Sequence, residues 1–360
     1  MPTLLFYVSG HGFGHSTRTI AVINAIPPEY DVIVKTSAPQ WLFDLNVRRA
    51  FDFQPLEVDV GAVQPNCLKL EREKTLLAFS QFVAGQDVIV RNEVQFARPK
   101  DIRAVVFDIP PLAPLVAQAL GVPSIAISNF SWDEIYEPYV REFPQYQPLL
   151  AKLAAEYATT SLLLRLPFHL PMAAFPVRED WHLLTRVAQE DKAKLRAKMG
   201  LPRDEIVVLL SFGGFRLAKT DALDLASCKG FFFLSFVQPP LTEAANYRNL
   251  RQDECRHEEA VKASDIVITK PGYGIVSECI ANQTAMLYTE REDFCEYPLL
   301  VEGIQKHLIQ DHIPQDDLLV GRWHSHLERL SVRLDSWNTV EPVAIDDGSR
   351  TAARIIEMAR

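Results

Sequence analysis

Short apolar runs alternate with longer amphipathic stretches along this whole chain, and that alternation restricts the folds open to it. In the first half, apolar runs at residues 4–8, 31–35, 104–108, 124–128 and 162–166 are separated by helical patterns at 17–26, 71–96 and 112–120. Strands that alternate with helices form parallel βαβ units, with helices on both faces of a sheet. The sequence therefore predicts an α/β protein with doubly wound parallel sheets.

The same pattern starts again after a segment interrupted by Pro167, Pro171 and Pro176, which we interpret as a linker. Beyond it the predicted strands are 206–212, 230–237, 265–269 and 285–288, and the predicted helices are 189–199, 257–263, 274–282 and 294–304. We predict two Rossmann-like domains, at residues 1–170 and 185–340. A C-terminal helix at about 349–360 is expected to pack back on the first domain. Ligands of such sheets bind beyond the carboxyl ends of the strands, so chemistry is expected in the loops that follow them.

Charge and composition exclude several classes of partner. The 37 Lys and Arg residues are outnumbered by 46 Asp and Glu residues, and a net charge of −9 disfavours nucleic acid. No apolar stretch approaches the roughly 20 residues that a membrane span needs. The N-terminus lacks a basic leader, and the five cysteines are scattered, which is typical of reduced thiols in the cytoplasm. Monomer and homo-oligomer both remain open.

A glycine-histidine loop follows the first predicted strand. Residues 9–16 read Ser-Gly-His-Gly-Phe-Gly-His-Ser and include Gly10, His11, Gly12, Gly14 and His15. The glycines permit a tight turn and a close approach to a ligand at the start of a helix. Their spacing is not G-x-G-x-x-G, and the second strand ends in Lys35-Thr36-Ser37 rather than in an acid, which disfavours a dinucleotide fold.

The two histidines of this loop have different expected roles. In the first helical turn the helix dipole favours a neutral His15, which suits a general base that takes a proton from an attacking hydroxyl. His11 either faces the ligand or packs under the loop. No third ligand accompanies the pair, so we predict neither a metal site nor a cofactor.

Three loops of the second half complete the candidate site. Ser211, Gly213 and Gly214 form a turn whose backbone N–H groups suit phosphate oxygens. The next loop lies at the start of a helix. Its glycines and its lysine suit the binding of a diphosphate. Its glutamate suits the binding of a ribose diol, or it only complements the helix dipole. Its residues are Lys270, Gly272, Tyr273, Gly274 and Glu278. A charged loop at 290–296 contains Asp293 and Glu296, which are candidates for sugar hydroxyls, or simply a solvated surface.

Together these loops resemble those of the GT-B glycosyltransferases, in particular the peptidoglycan N-acetylglucosaminyltransferase group. A closer resemblance is to the glycosyltransferase-like region that precedes the kinase part of plant L-arabinokinases. The segments that carry it are 7–18, 61–64, 129–133, 165–167 and 270–274. The resemblance implies two facing Rossmann-like domains, with an acceptor in the first and a UDP-sugar donor in the second.

The first domain contains further candidate residues for the cleft that this resemblance implies. Asp108 ends a predicted strand, where it is a second candidate base or a partner that orients His15. Asn129, Trp132 and Asp133 follow another strand, and an aromatic ring beside polar groups is typical of a sugar platform. A core tryptophan is the alternative. Gln64 lies in a loop expected on the acceptor side.

The predicted function is a metal-independent, nucleotide-sugar-dependent glycosyltransferase that acts on a sugar-containing or small-molecule acceptor. No Asp-x-Asp motif is present to hold a divalent ion. Two alternatives stay open: a nucleotide-sugar epimerase on the same fold, and a non-catalytic sugar-binding module that partners a sugar kinase.

Overall fold

Two parallel sheets form the frame of the protein in the computed structural model, which describes residues 1–63, 70–213, 225–291 and 294–360. The strands of the first sheet are β1 (Thr3–Val8), β2 (Asp31–Thr36), β3 (Asp52–Pro55), β4 (Ile102–Asp108), β5 (Ser124–Ser128), β6 (Leu162–Arg165) and β7 (Arg178–Asp180). After β8 (Leu183–Leu184), the second sheet contains β9 (Ile206–Ser211), β10 (Phe231–Ser235), β11 (Tyr247–Asn249), β12 (Ile266–Thr269), β13 (Ala285–Tyr288) and β14 (Gln310–His312). A short β15 (Ile345–Asp346) pairs with β8. We refer to the parts built on the two sheets as the N-terminal and C-terminal lobes.

Both sheets have the same topology. Their orders are β3-β2-β1-β4-β5-β6-β7 and β11-β10-β9-β12-β13-β14, and all neighbouring strands run parallel. In each lobe the connections reverse direction beside the first strand, between β1 and β4 and between β9 and β12. Such a switch point opens a crevice at the carboxyl ends of the strands. The predicted doubly wound α/β fold is confirmed.

Helices connect the strands and cover the sheets. They are α1 (Phe13–Ala25), α2 (Gln40–Asn46), α3 (Arg72–Ala97), α4 (Leu112–Leu120), α5 (Trp132–Glu142), α6 (Gln147–Tyr157), α7 (Lys192–Lys198), α8 (His257–Ala263), α9 (Tyr273–Asn282), α10 (Tyr297–His307), α11 (Gln315–Leu319), α12 (His324–Ser331) and α13 (Ser349–Met358). Helix α1 begins at Phe13 rather than at residue 17, because Gly12 adopts a φ of 71° and caps the helix. Gly14 and His15 therefore belong to its first turn.

The proline-rich segment lies within the first sheet rather than between the two sheets. Strand β7 follows it and pairs with β6, so the first sheet extends to Asp180. Two of the three residues of β7 are exposed and all three are charged, so no apolar run marks this strand in the sequence. The chain then crosses to the C-terminal lobe. The domain bounds of 1–170 and 185–340 stay a prediction.

The two faces of the first sheet enter different apolar clusters. Leu4, Phe6 and Val8 of β1 pack on the α1 side, whereas Leu5 and Tyr7 pack on the other face. The cluster on the α1 side continues into the C-terminal lobe and into α13, which packs against α1. This shared cluster holds the ends of α1 and α9 together at the crevice.

Candidate active site between the two sheets

A cavity of about 640 Å³ lies between the lobes, at the carboxyl ends of both sheets. The N-termini of α1 and α9 meet there through backbone atoms: a Cβ atom added to Gly274 would lie 3.3 Å from Gly14 Cα. The predicted site residues that line the cavity are His11, Gly12, Gly14, His15, Asn129, Ser211, Gly213, Lys270, Gly272, Tyr273, Gly274, Glu278 and Glu296. Both helix ends place free N–H groups at one point, which suits an anion.

The imidazole of His15 is held by the carboxylate of Asp108. His15 Nδ1 lies 2.8 Å from Asp108 Oδ1, and both side chains are buried. Burial alone would raise the pKa of Asp108, but the charges of Arg18 and His15 and their hydrogen bonds hold it below its usual value. An ionised Asp108 accepts from a proton on Nδ1 of His15, and in a neutral imidazole with that proton Nε2 carries the lone pair. Asp108 therefore fits the role of the orienting partner better than that of the base.

Arg18 stabilises this pair from one helical turn further along α1. Its Nε and Nη2 atoms donate to the two oxygens of Asp108, and Nη2 also donates to Ser128 Oγ at 3.2 Å. Its Nη1 atom donates to Asn129 Oδ1 at 2.8 Å, and its guanidinium stacks on the ring of Tyr273. The guanidinium of Arg18 thus contacts residues of both lobes.

A side-chain hydrogen bond crosses the crevice between Asn129 and Glu296. Asn129 Nδ2 donates to Glu296 Oε2 at 3.0 Å, and both residues are buried. Arg291 lies 3.5 Å from the other carboxylate oxygen. Two of the residues predicted for sugar hydroxyls are therefore hydrogen-bonded to each other across the crevice.

Glu278, predicted to bind a ribose, is the centre of a buried charged cluster. Oε1 accepts from Arg186 Nε at 2.8 Å, and Oε2 lies 2.7 Å from His257 Nδ1. Burial would raise its pKa, but Arg186 and His257 outweigh it and lower the pKa to about 2. A second carboxylate, Glu258, lies 3.1 Å from Arg186 Nη1. On the far side of the imidazole, His257 Nε2 lies 2.9 Å from Ser211 Oγ.

His11 packs inside the loop that it belongs to, yet it reaches the cavity wall. Its Nδ1 accepts from the backbone N–H of Ala62 at 3.3 Å, and its ring stacks on Phe294. Burial, with the charges of His15, Arg291 and Lys270, lowers the pKa of His11 to about 3. His11 is therefore an uncharged residue of the cavity wall. These contacts agree with the alternative in which it packs under the loop.

Four predicted residues do not line the cavity. Gly10 packs behind it, because a Cβ atom there would lie 2.1 Å from Ser37 Oγ. Asp108 lies behind His15, and Asp133 lies on the first turn of α5 away from the cavity. The fourth is Trp132, which is buried in the core. Gln64, Gly214 and Asp293 fall outside the described residues.

The structure places Trp132 in the core, as in the alternative to a sugar platform. The side chain is fully buried, its ring stacks on Tyr136, and its Nε1 donates to Asp59 Oδ2 at 2.9 Å. Burial raises the pKa of Asp59 to about 6, although this hydrogen bond and one from Ser9 act in the opposite direction. The aromatic rings that do line the cavity from the N-terminal lobe include Phe13 and Trp41, which make an edge contact.

Sequence reasoning missed three of the residues that build the site. Arg18 follows His15 at the i+3 spacing of neighbours on one helix face, and that spacing was a usable signal. Arg186 and His257 have no comparable signal, because Arg186 meets Glu278 across 92 positions of the chain.

No protein-family model matches the chain. The chain is 30% identical over 332 residues to L-arabinokinase from Arabidopsis thaliana, a match that covers 90% of this chain and 32% of that protein. The chain thus corresponds to about a third of the length of this curated relative.

Several solved glycosyltransferase structures share the whole fold. The calicheamicin glycosyltransferase CalG4 aligns with a TM-score of 0.67 and 14% identity, over 99% of this chain and 98% of that one. A UGT transferase from Siraitia grosvenorii in complex with UDP aligns with a TM-score of 0.58 and 12% identity over all of both chains. MurG from Acinetobacter baumannii aligns with a TM-score of 0.56 and 12% identity over 99% of each chain.

None of the described helices is long and apolar enough to cross a membrane. The predicted resemblances, to GT-B glycosyltransferases and to L-arabinokinase, are both confirmed. The chain has the GT-B glycosyltransferase fold, and its sequence is similar to part of a plant L-arabinokinase.

Proposed function

We propose that this protein is a nucleotide-sugar-dependent glycosyltransferase that uses a UDP-sugar and no metal ion. The observation that carries the proposal is that His15, held by the buried Asp108, lines the same cavity as the facing N-termini of α1 and α9. A general base and an anion site on one cavity are what transfer from a sugar diphosphate to a hydroxyl requires.

The donor is assigned to the C-terminal lobe. The diphosphate would lie at the N-terminus of α9, beside Lys270, where helix-end N–H groups stabilise its charge as it departs. The ribose would lie near Glu278, and Phe236 and Val237 line the adjoining wall where a base would fit. The Siraitia grosvenorii structure, of the same fold, holds UDP, which supports this choice of nucleotide.

The acceptor is assigned to the N-terminal lobe. Its hydroxyl would donate a proton to His15 Nε2 as its oxygen attacks the anomeric carbon, and the bond from that carbon to the diphosphate would break. Asp108 holds the imidazole in the tautomer that this transfer needs and stabilises the imidazolium that forms. Phe13 and Trp41 offer an apolar surface to the ring of the acceptor.

A thermal-shift panel tests the donor assignment. The panel contains UDP, UDP-hexoses, UDP-pentoses and UDP-uronic acids, each with EDTA and with Mg²⁺. It is run on the wild type, on Lys270→Ala in the donor wall and on Lys306→Ala on the exposed face of α10. Saturable stabilisation that EDTA leaves intact and that Lys270→Ala weakens supports the assignment. No shift with any nucleotide would reject it.

A further inference from the structure

Asn129 and Glu296 join the two lobes through a hydrogen bond to which the proposed function assigns no role. Asn129 follows β5 in the N-terminal lobe, and Glu296 precedes α10 in the C-terminal lobe. Asn129 Nδ2 donates to Glu296 Oε2 at 3.0 Å. Both residues line the cavity, although only 0% and 4% of their surfaces are exposed. The hydrogen bond is therefore part of the cavity wall.

The direction of this hydrogen bond is fixed by Arg18. Arg18 Nη1 donates to Asn129 Oδ1 at 2.8 Å, and a guanidinium group has no acceptor atom. The amide of Asn129 must therefore turn its oxygen to Arg18 and its nitrogen to Glu296. The opposite orientation would set N–H groups against the guanidinium and an oxygen against the carboxylate. Asn129 thus has one orientation, in which it donates to Glu296.

Arg18 connects this hydrogen bond to the proposed base. Its Nη2 donates to Asp108 Oδ1 at 2.6 Å, and its guanidinium stacks on Tyr273, the first residue of α9. Buried contacts therefore run without a gap from the imidazole of His15 to the carboxylate of Glu296. The reacting carbon of the donor must lie between the base and the diphosphate. Its sugar ring would therefore lie close to Glu296.

The carboxylate of Glu296 is held at both of its oxygens. Asn129 donates to Oε2, and Arg291 Nη1 lies 3.5 Å from Oε1. A carboxylate has about four lone-pair positions, so these two contacts leave room for hydrogen bonds from hydroxyl groups. A side chain that its neighbours hold in place recognises a ligand more precisely than one that is free to turn. The geometry of Glu296 thus suits the hydroxyls of a sugar.

The nucleoside end of the donor site is built differently. Phe236, Val237 and Glu278, which are assigned to the base and the ribose, all belong to the C-terminal lobe. The side chain of Asn129 bonds to Arg18 and Glu296 instead. A change at Asn129 should therefore affect the sugar end of the site and leave the nucleoside end as it is.

We propose that Asn129 orients Glu296 for the sugar ring of the donor, so that the sugar end of the donor site is complete only when the two lobes are in contact. This inference rests on the proposed donor site. Asn129 is a positioning residue here, because it acts on the sugar through Glu296. The role differs from the acceptor contact that the sequence predicts for Asn129.

Calorimetric titrations with UDP, UDP-glucose, UDP-galactose and UDP-xylose test the inference. The quantity compared is the Kd of a UDP-sugar divided by the Kd of UDP, which removes any effect common to both ligands. Asn129→Asp retains the contact with Arg18 but sets a carboxylate against that of Glu296. It should raise this ratio about tenfold for the UDP-sugar that the wild type binds most tightly. The affinity for UDP should stay close to that of the wild type.

A second substitution reverses the donor and the acceptor of the hydrogen bond. Glu296→Gln retains an oxygen that can accept from Asn129. In the double variant Asn129→Asp, Glu296→Gln the new amide can donate to the new carboxylate, so the hydrogen bond is present in both proteins. Adding Asn129→Asp to Glu296→Gln should therefore change the ratio by less than about twofold.

Asn24→Asp is the matched control. The amide of Asn24 also bonds at both of its ends, to Asn46 and Arg48, but it lies outside the cavity. This variant should keep the wild-type ratio even where it lowers the melting temperature. If Asn129→Asp alone does not fold, Asn129→Ser removes the hydrogen bond without adding a charge and should raise the ratio in the same way.

The outcomes separate the inference from the donor site on which it rests. An unchanged ratio in the Asn129 variants, an equal loss of affinity for UDP and UDP-sugar, or the same effect of Asn129→Asp in both backgrounds overturns the role of Asn129. Each of these results leaves the donor site standing. No binding of UDP by the folded wild type rejects the donor site, and the inference with it.

Discussion

Asp108 at the end of β4 holds His15 in the first turn of α1 through a buried contact of 2.8 Å. The pair joins a strand end to a helix start across the switch point of the N-terminal lobe. The contact leaves Nε2 as the imidazole nitrogen that is turned away from the carboxylate.

His15→Gln should lower the rate of sugar transfer by about 10²–10⁴-fold, the usual contribution of a general base. Glutamine occupies similar space but accepts no proton, so UDP affinity should change little. The measurement is kcat/KM with an identified donor and acceptor, beside UDP binding by calorimetry. Wild-type turnover in the variant would exclude His15 as the base. UDP binding with no turnover in either protein would favour the sugar-binding module.

Asp108→Asn should destabilise the fold by about 3–5 kcal/mol, because Arg18 would remain buried without its carboxylate. Replacing Arg18 by Met in the same variant should restore part of that loss. Urea unfolding measures both. The exposed pair of Asp101 and Arg103 is the control, since Asp101→Asn should cost about 0–1 kcal/mol. Equal effects at the two sites would contradict the buried ion pair.

Glu134→Gln should stabilise the protein in alkaline but not in acidic solution. Burial, with the charge of Asp133, raises the pKa of Glu134 from 4.5 to about 7. A raised carboxyl pKa gives stability that is fully present below the unfolded value and is lost as the pH rises through the folded value. The melting temperature of the variant should therefore match the wild type near pH 4.5 and exceed it above pH 7.

Glutamine suits this test because its carbonyl oxygen can still accept from the backbone N–H of Met172, as Glu134 does at 2.6 Å. Glu137→Gln, on the exposed side of the same helix, should show no such crossover. A constant difference in melting temperature across the pH range would exclude the titration of Glu134 as the cause.

Gly348→Ala should detach α13 from α1. Gly348 has a φ of 102°, and a Cβ atom there would lie 2.3 Å from the carbonyl oxygen of Ala21. Gly121→Ala is the matched control, because Gly121 also has a positive φ of 72° but an added Cβ would meet nothing within 4 Å. The control should cost about 1–2 kcal/mol from backbone strain alone. Gly348→Ala should cost clearly more, by urea unfolding and by faster amide exchange in α13.

The fold could be predicted from the sequence because strand–helix alternation is a local and repeated signal. The site loops could be placed for the same reason, since parallel strands all deliver their following loops to one edge of the sheet. His15 and Asp108 thus came together, although 93 positions separate them.

The burial of Trp132 has a signal in the spacing of the apolar residues that follow it. Trp132 does follow a strand, but Ile135, Tyr136, Tyr139 and Val140 lie at i+3, i+4, i+7 and i+8 from it. That spacing defines the buried face of a helix. The Arg186 and His257 contacts had no periodic signal, because the partners of a buried charge are set by tertiary packing alone.

The contact between Gly14 and Gly274 has a consequence for how this protein can vary. The closest approach of the two helix ends there is between main-chain atoms, because neither of these two residues has a side chain. The two positions differ in how closely a methyl group would approach the other lobe. An added Cβ at Gly274 would lie 3.3 Å from Gly14 Cα, a tight contact, whereas one at Gly14 would lie 3.8 Å from the backbone nitrogen of Gly274, an ordinary contact. Side chains elsewhere in the cavity wall can therefore vary more freely than residue 274 while the two helix ends keep their spacing.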